Sequence, residues 1–345
     1  MLLTRALLTA ICILAGPEAR SAEQISIAIA KGAGAIGSAP LVVAVSGHHF
    51  ARAGINAALI EFADDAAVRQ AVAEGRAEFG AARLDGAFLA YAAAHGLKII
   101  APEYSDKTGF PAMGLLVSNA AYEAGLRGPQ SLAHRRIGMT SPDSAARFEL
   151  IEAAQRYGIA PDAIELVWLG SEAKLLSAFE SGTIDAVVVP FATAFELRRE
   201  SKAAAVIRLS DYIEAQQGVV FGLADTIRTK RDEVETFMRA YRAAVTDYDL
   251  TFQQRDDGGS VLPGAHFSEY LNAMAKQAGI VPELLAFALP YCDHLARLDV
   301  DDLRRQLRFW QNEGLVPTGI TVDSIMDLSF NPEHIGGWLP ERKSE

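Results

Sequence analysis

Cysteine is almost missing from this 345-residue sequence, which has only Cys12 and Cys292. Cys12 falls in a leader-like segment, so the remaining chain holds one thiol and builds neither an internal disulfide nor a thiolate metal cluster. Beyond residue 21 there is no apolar run of the roughly 20 residues that a membrane-spanning helix requires. No Pro-, Ser- or Gln-rich tract marks a linker or low-complexity region. Positive charge is also scarce: 32 Lys and Arg face 43 Asp and Glu, a formal net charge of −11. That balance argues against nucleic acid and anionic membrane as partners. The spaced signatures of catalysis are missing as well, with no G-x-S-x-G, no H-E-x-x-H and no cysteine pair. Of the seven histidines only His48 and His49 adjoin, and neighbours on a helix point about 100° apart, too divergent to share a metal.

What is present is hydrophobic residues, half of the chain, enough for two cores of ordinary domain size. Residues 1–21 read as a secretory signal, with Arg5 as the positive start, an apolar run over 6–15, and Ala19-Arg20-Ser21 as a small-x-small cleavage site. Pro17 and Glu18 interrupt the run before it reaches spanning length, and Ile11 before Cys12 is too large for a lipoprotein site. The expected product is an exported, periplasmic, monomeric protein stabilised by packing alone.

An internal repeat sets the expected architecture. Gly75, Glu78, Arg83 and Phe88 recur as Gly182, Asp185, Pro190 and Phe195 at a constant offset. Each set lies in the pattern strand, helix, glycine stop, strand: 57–62, 66–73 and 77–82 in the first half, 164–169, 173–179 and 186–189 in the second. A further strand and helix precede each, at 25–30 with 40–53, and at 136–139 with 144–157. Alternation of this kind predicts parallel sheets with right-handed crossovers, hence an α/β fold of two lobes with a cleft between them. The lobes are expected at 22–113 with 219–345, and at 114–218, with hinges near 111–118 and 218–224. Amphipathic runs at 230–250, 267–278 and 301–313 are expected to wrap the first lobe.

In this order and spacing, Pro40-Leu41-Val42-Val43-Ala44, Phe50, Gly54-Ile55, Ala71 to Gly75 and Glu78-Phe79-Gly80, echoed by Ile137-Gly138, Leu175-Leu176, Gly182, Asp185-Ala186 and Pro190, resemble the binding proteins of nitrate, sulfonate and taurine ABC importers. That family includes thiamine-precursor pyrimidine binders. The resemblance spans most of the chain and implies a periplasmic-binding-protein fold that captures a small molecule and delivers it to a membrane permease, with no cofactor. His48-His49 and Asp64-Asp65 depart from the family pattern and leave the ligand open. The cysteine-rich motif of the related pyrimidine-forming enzymes is missing.

Ligand contacts are expected at strand ends and helix starts, where unpaired N–H groups gather. Gly32-x-Gly34-x-x-Gly37 follows a strand like a dinucleotide fingerprint, but Pro40 would then fall inside the helix, so the glycines read as a loop over the cleft, with Gly37 beside it and Ser38 as helix cap. Ser141, Asp143 and Ser144 start a second-lobe helix and either hold a polar ligand head or cap that helix. Asp64 is a helix cap or an acceptor for a ligand amine. Arg83 is placed to grip a carboxylate or sulfonate, or to pair locally with Asp85. Glu172 either reaches the cleft or stabilises its own helix. Pro190 and Phe191 close a strand where an aromatic ring stacks on a flat ligand or packs in the core, and Gln217 with Gly218 precedes the return crossing. The expected function is solute binding for an ABC importer: Arg83 and the helix starts favour a small organic anion as ligand, while Asp64, Asp65 and the net negative charge allow a heteroaromatic compound with a cationic or amide-bearing ring. The alternatives are an exported enzyme on the same fold and a ligand-sensing partner of a membrane receptor.

Overall fold

A computed structural model describes residues 24–32, 36–200, 202–256 and 261–332. The expected signal and part of the glycine loop lie outside the described residues. The first half runs β1 (Ile25–Ala30), α1 (Ala39–Ser46), α2 (His49–Arg52), β2 (Ala57–Phe62), α3 (Asp65–Ala73), β3 (Phe79–Arg83), α4 (Gly86–His95) and β4 (Leu97–Asp106). The second runs β5 (Met113–Val117), α5 (Asn119–Glu123), β6 (Arg136–Met139), α6 (Ala145–Gln155), β7 (Glu165–Trp168), α7 (Glu172–Glu180), β8 (Ala186–Pro190), α8 (Phe191–Arg199) and β9 (Ala205–Arg208). After β10 (Ala215–Leu223) the chain is helical through α9 (Ala224–Thr229), α10 (Arg231–Tyr248), α11 (Phe267–Ala278), α12 (Pro282–Leu285), α13 (Val300–Asn312) and α14 (Val322–Ile325).

Two five-stranded sheets form, ordered β2-β1-β3-β10-β4 and β7-β6-β8-β5-β9. The orders are the same once β1, β2, β3, β4 and β10 are matched to β6, β7, β8, β9 and β5, so the repeat read in the sequence is a repeat of topology. It extends to individual bonds. The Glu78 carboxylate accepts the backbone N–H of Ser26 at 2.7 Å, and Asp185 accepts that of Arg136 at 2.8 Å, each tying the third strand of its repeat (β3 or β8) to the first (β1 or β6). Gly75 and Gly182 both end the preceding helix at φ near +70°, a conformation glycine adopts without Cβ strain.

The expectation of wholly parallel sheets needs correction. β10 runs antiparallel to β3 and β4, and β5 antiparallel to β8 and β9. Each antiparallel strand lies beside a crossing between the lobes, so its direction is set by the chain passing from one sheet to the other. Met113 already pairs with Pro190 in the second sheet, and Ala215 already pairs with Asp106 in the first. The lobe boundaries expected at 113/114 and 218/219 therefore fall inside hydrogen-bonded strands, and we propose that flexing occurs at 107–112 and 209–214 instead.

The C-terminal helices cover the first sheet as their periodicity implies. Along α10 the buried residues Val234, Phe237, Met238, Tyr241, Val245 and Tyr248 recur every three or four positions. Phe237 stacks on Phe50 and Phe79 with ring centroids 5.0 and 4.1 Å away, and Tyr241 donates to the Pro102 carbonyl at 2.8 Å. The single helix expected over 40–53 is broken. His48 takes a left-handed conformation (φ 56°), and His49 then turns inward to Asp247, 3.0 Å away, where Tyr270 also donates at 2.7 Å.

Candidate functional site

The strands of the two sheets end on a shared cleft, a cavity of about 570 Å³. The first lobe contributes Ala63 to Asp65 after β2, Arg83 at the end of β3, and Glu103 with Tyr104 near the end of β4. The second contributes Thr140 after β6, Gly170 after β7, and Pro190 at the end of β8. Five helices also start there: Gly37-Ser38 precede α1, Asp64-Asp65 open α3, Ser144 precedes α6, Ser171-Glu172 open α7 and Pro190-Phe191 open α8. Each start carries a partial positive charge from its aligned peptide dipoles and unpaired N–H groups.

Two of the five starts are met by side-chain caps, while those of α1, α6 and α8 have none. Asp64 accepts the Ala67 N–H at 2.8 Å, and Ser171 accepts that of Lys174 at 3.4 Å. Glu172 accepts from the Thr193 hydroxyl at 3.2 Å. Arg83 pairs with Asp65, not with Asp85: its Nε lies 3.0 Å from Asp65 Oδ2, and its backbone N–H reaches Oδ1 at 3.3 Å. The surrounding protein partly desolvates the half-exposed Arg83, but Asp65 and the neighbouring Tyr104 and Asp85 outweigh this and hold the guanidinium protonated above its ordinary range. Among the described lining residues the cleft thus holds four carboxyl groups, Asp64, Asp65, Glu103 and Glu172, and one guanidinium.

Glu103 and Tyr104 are consecutive on β4 and yet both line the cleft. A regular strand would send them to opposite faces. The register explains the exception: Gly218 pairs with Tyr104 and Val219 with Pro102, leaving Glu103 as an extra residue, while Gln216 pairs with Ser105 and leaves Gln217 extra on the facing strand. Such bulges commonly re-aim side chains beside functional sites. The Tyr104 ring lies between Gly37 and Gly218, and a Cβ at either position would come within 2.4 Å of it. Glu103 is 3% exposed, and its Oε1 has no hydrogen-bond partner. Burial raises its pKa to about 8, against the opposing hydrogen bond from the Ser38 side chain.

Of the candidates named from sequence, Gly37, Ser38, Asp64, Arg83, Ser144, Glu172, Pro190 and Phe191 come together around this cavity, and five others lie elsewhere. Asp85 caps α4 by accepting the Phe88 N–H at 2.7 Å and faces Arg69 at 3.7 Å. Burial lifts its pKa to about 6. The Ser141 and Asp143 carbonyls accept the backbone N–H groups of Ser144 and Gly86 at 3.4 and 3.1 Å, the second bond joining the two lobes. Gln217 turns away and donates to Glu149 at 2.5 Å. Gly218 acts through the ring it seats. Sequence reasoning missed Glu103 and Tyr104. The signal was there, an apolar run ending in an acid and an aromatic residue at a strand terminus.

The fold and the cleft define a two-lobed binding-protein architecture. A family model described as NMT1/THI5 like matches residues 36–248, and the chain belongs to that family. Among solved structures, the periplasmic aliphatic sulphonate binding protein SsuA from Escherichia coli is 15% identical with a TM-score of 0.69, over 94% of this chain and 97% of that one. The periplasmic nitrate-binding protein NrtA from Synechocystis PCC 6803 is 11% identical with a TM-score of 0.64, over 90% and 87%. The desulfurization enzyme DSZB is 14% identical with a TM-score of 0.55, over 90% and 98%. At these identities the likeness is one of fold, and the same fold carries both binding and catalysis. No curated protein matches the chain by sequence.

Proposed function

We propose that the chain is the extracytoplasmic solute-binding protein of an ATP-driven importer. It captures a small organic solute between its lobes and presents the closed form to a membrane permease. The observation that carries this reading is the cleft itself, about 570 Å³ of space walled by strand ends and helix starts from both sheets. Contacts made only when the lobes meet support closure around a ligand. Phe195 on α8 stacks on Phe287 beyond α12 at 5.1 Å, and Gly86 donates to Asp143 across the two lobes. No helix among the described residues is long and apolar enough to cross a membrane, and the periplasmic sulphonate- and nitrate-binding neighbours suggest the same compartment for this chain.

The sequence left two ligand classes open, organic anions and nitrogen-bearing rings. Arg83, the residue expected to grip an acid, spends its Nε on Asp65, and the other charged lining groups are carboxyls. This balance favours the second class. The test is a melting-temperature screen of the exported protein against alkyl and aryl sulfonates, nitrate, aromatic carboxylates, pyrimidines and organic amines. At a hundredfold excess over Kd a true ligand stabilises by about 2.7 kcal/mol, a rise of several degrees. Absence of any stabilising compound, or conversion of the stabilising compound to product, contradicts the reading.

A further inference from the structure

Glu103 is a buried carboxyl on the cleft wall, and one of its two oxygens is left unmatched by the protein. Buried polar groups in native proteins nearly always have partners. An unmatched acceptor on a side chain that lines a cavity is therefore read as awaiting a partner from the ligand. The three other carboxyls of the cleft differ in kind: Asp64 caps α3, Asp65 holds Arg83, and Glu172 opens α7 and accepts from Thr193. Glu103 stands on a strand and caps no helix of its own, and a β-bulge turns it to the cavity wall beside the start of α1. Next to it the Tyr104 ring presents an aromatic surface, and Phe191 lines the second lobe. Carboxylates and aromatic faces both favour a cation. An organic anion would meet four acids and one arginine whose Nε is already held by Asp65.

We infer that Glu103 is the ligand anchor of the cleft and that it receives an ammonium or amidinium group of a small organic cation. This rests on the solute-binding reading above and names its ligand class. Binding replaces the Glu103 proton by the ligand N–H, so one proton is released to solvent for each cation bound near neutral pH. The groups that face Glu103 are Ser38 before α1, Asp65 on α3, Tyr104 beside it with Arg83 behind, Tyr241 on α10, and Cys292. Burial holds Tyr104, Tyr241 and Cys292 protonated well above neutrality, and the half-exposed Arg83 stays charged beside its acidic neighbours. The cation affinity therefore follows Glu103, rising by up to tenfold per pH unit and levelling off above about pH 8.

The experiment is calorimetric titration of the exported protein and its Glu103→Gln variant with benzylamine and benzamidine, and with benzenesulfonate and benzoate as anions of matched size. It is run from pH 6 to 9, in buffers of different ionisation enthalpy to count protons. Expected is cation binding to the wild type that strengthens with pH and releases a proton, and that is weakened ten- to hundredfold and made flatter with pH in the variant. A melting curve of the unliganded variant as cooperative as that of the wild type shows that the fold is kept. Equal cation affinity in both proteins overturns the role of Glu103. Binding of the anions but not the cations overturns the ligand class and leaves the solute-binding reading standing. Failure of both classes to bind overturns the inference and counts against that reading too.

Discussion

The unliganded protein is expected to lose stability as the pH rises from 5 to 8, the reverse of ordinary acid denaturation. Three buried carboxyls carry this expectation. Burial raises the pKa of Glu103 to about 8 and that of Asp106 to about 7, and raises Glu149 well above its usual value through burial and the nearby Asp106 and Asp302. In the unfolded chain these acids lose their protons near 4.5 for Glu and 3.8 for Asp. Between those values and the raised ones the folded state binds more protons than the unfolded state. Stability is then complete at low pH and declines as the pH climbs through the window. The slope is about 1.4 kcal/mol per pH unit for each acid that holds its proton only when folded. Urea midpoints at pH 5, 6.5 and 8 measure it, and a midpoint that is flat or rises with pH refutes it. Asp106 and Glu149 sit where the lobes join. Asp106 accepts the N–H groups of Ala112 and Met113 at 2.9 and 3.2 Å, and Glu149 of the second lobe accepts from Gln217 of the first. Asp106→Asn with Glu149→Gln is therefore expected to flatten the decline.

Gly218→Ala is expected to abolish most ligand binding while leaving the protein folded. The added Cβ would lie 2.4 Å from the Tyr104 ring and 2.8 Å from Glu103 Oε2, so both side chains of the first-lobe wall must move. Inserting a methyl into a packed site costs about 1–3 kcal/mol of stability, a modest fall in melting temperature. The anchor and the ring shift together, and the affinity for the compound identified in the melting screen is expected to fall by at least tenfold. Affinity within twofold of wild type would mean that the ligand does not use this wall.

Much of the fold was legible because the repeat is written in residues with fixed mechanical roles. Glu78 and Asp185 tie third strand to first, and Gly75 and Gly182 stop equivalent helices. Strand ends follow from such marks, and with them Arg83 and Pro190 fall at the cleft. The illegible parts depend on tertiary geometry. Nothing in the local sequence says that β4 and β10 carry opposed bulges, which send Glu103 to the cavity and Gln217 away from it. The pairing of Arg83 with Asp65 joins the end of one strand to the start of an earlier helix, and its adjacent acid Asp85 was the nearer guess by sequence. His48 breaks the first helix through a left-handed turn that is uncommon outside glycine, though histidine adopts it more readily than most, and periodicity alone ran the helix through it.

Closure on a ligand is the central claim, and small-angle scattering of the protein with and without the compound found in the melting screen tests it most directly. Contacts from both lobes exist only in the closed form, so a ligand shifts the open and closed populations by its differential affinity for them. The account predicts that the radius of gyration falls on saturation and that the scattering curve approaches the one calculated for the lobes in contact through Phe195 and Phe287. A ligand that stabilises the protein yet leaves the curve of a demonstrably open unliganded form unchanged would contradict it.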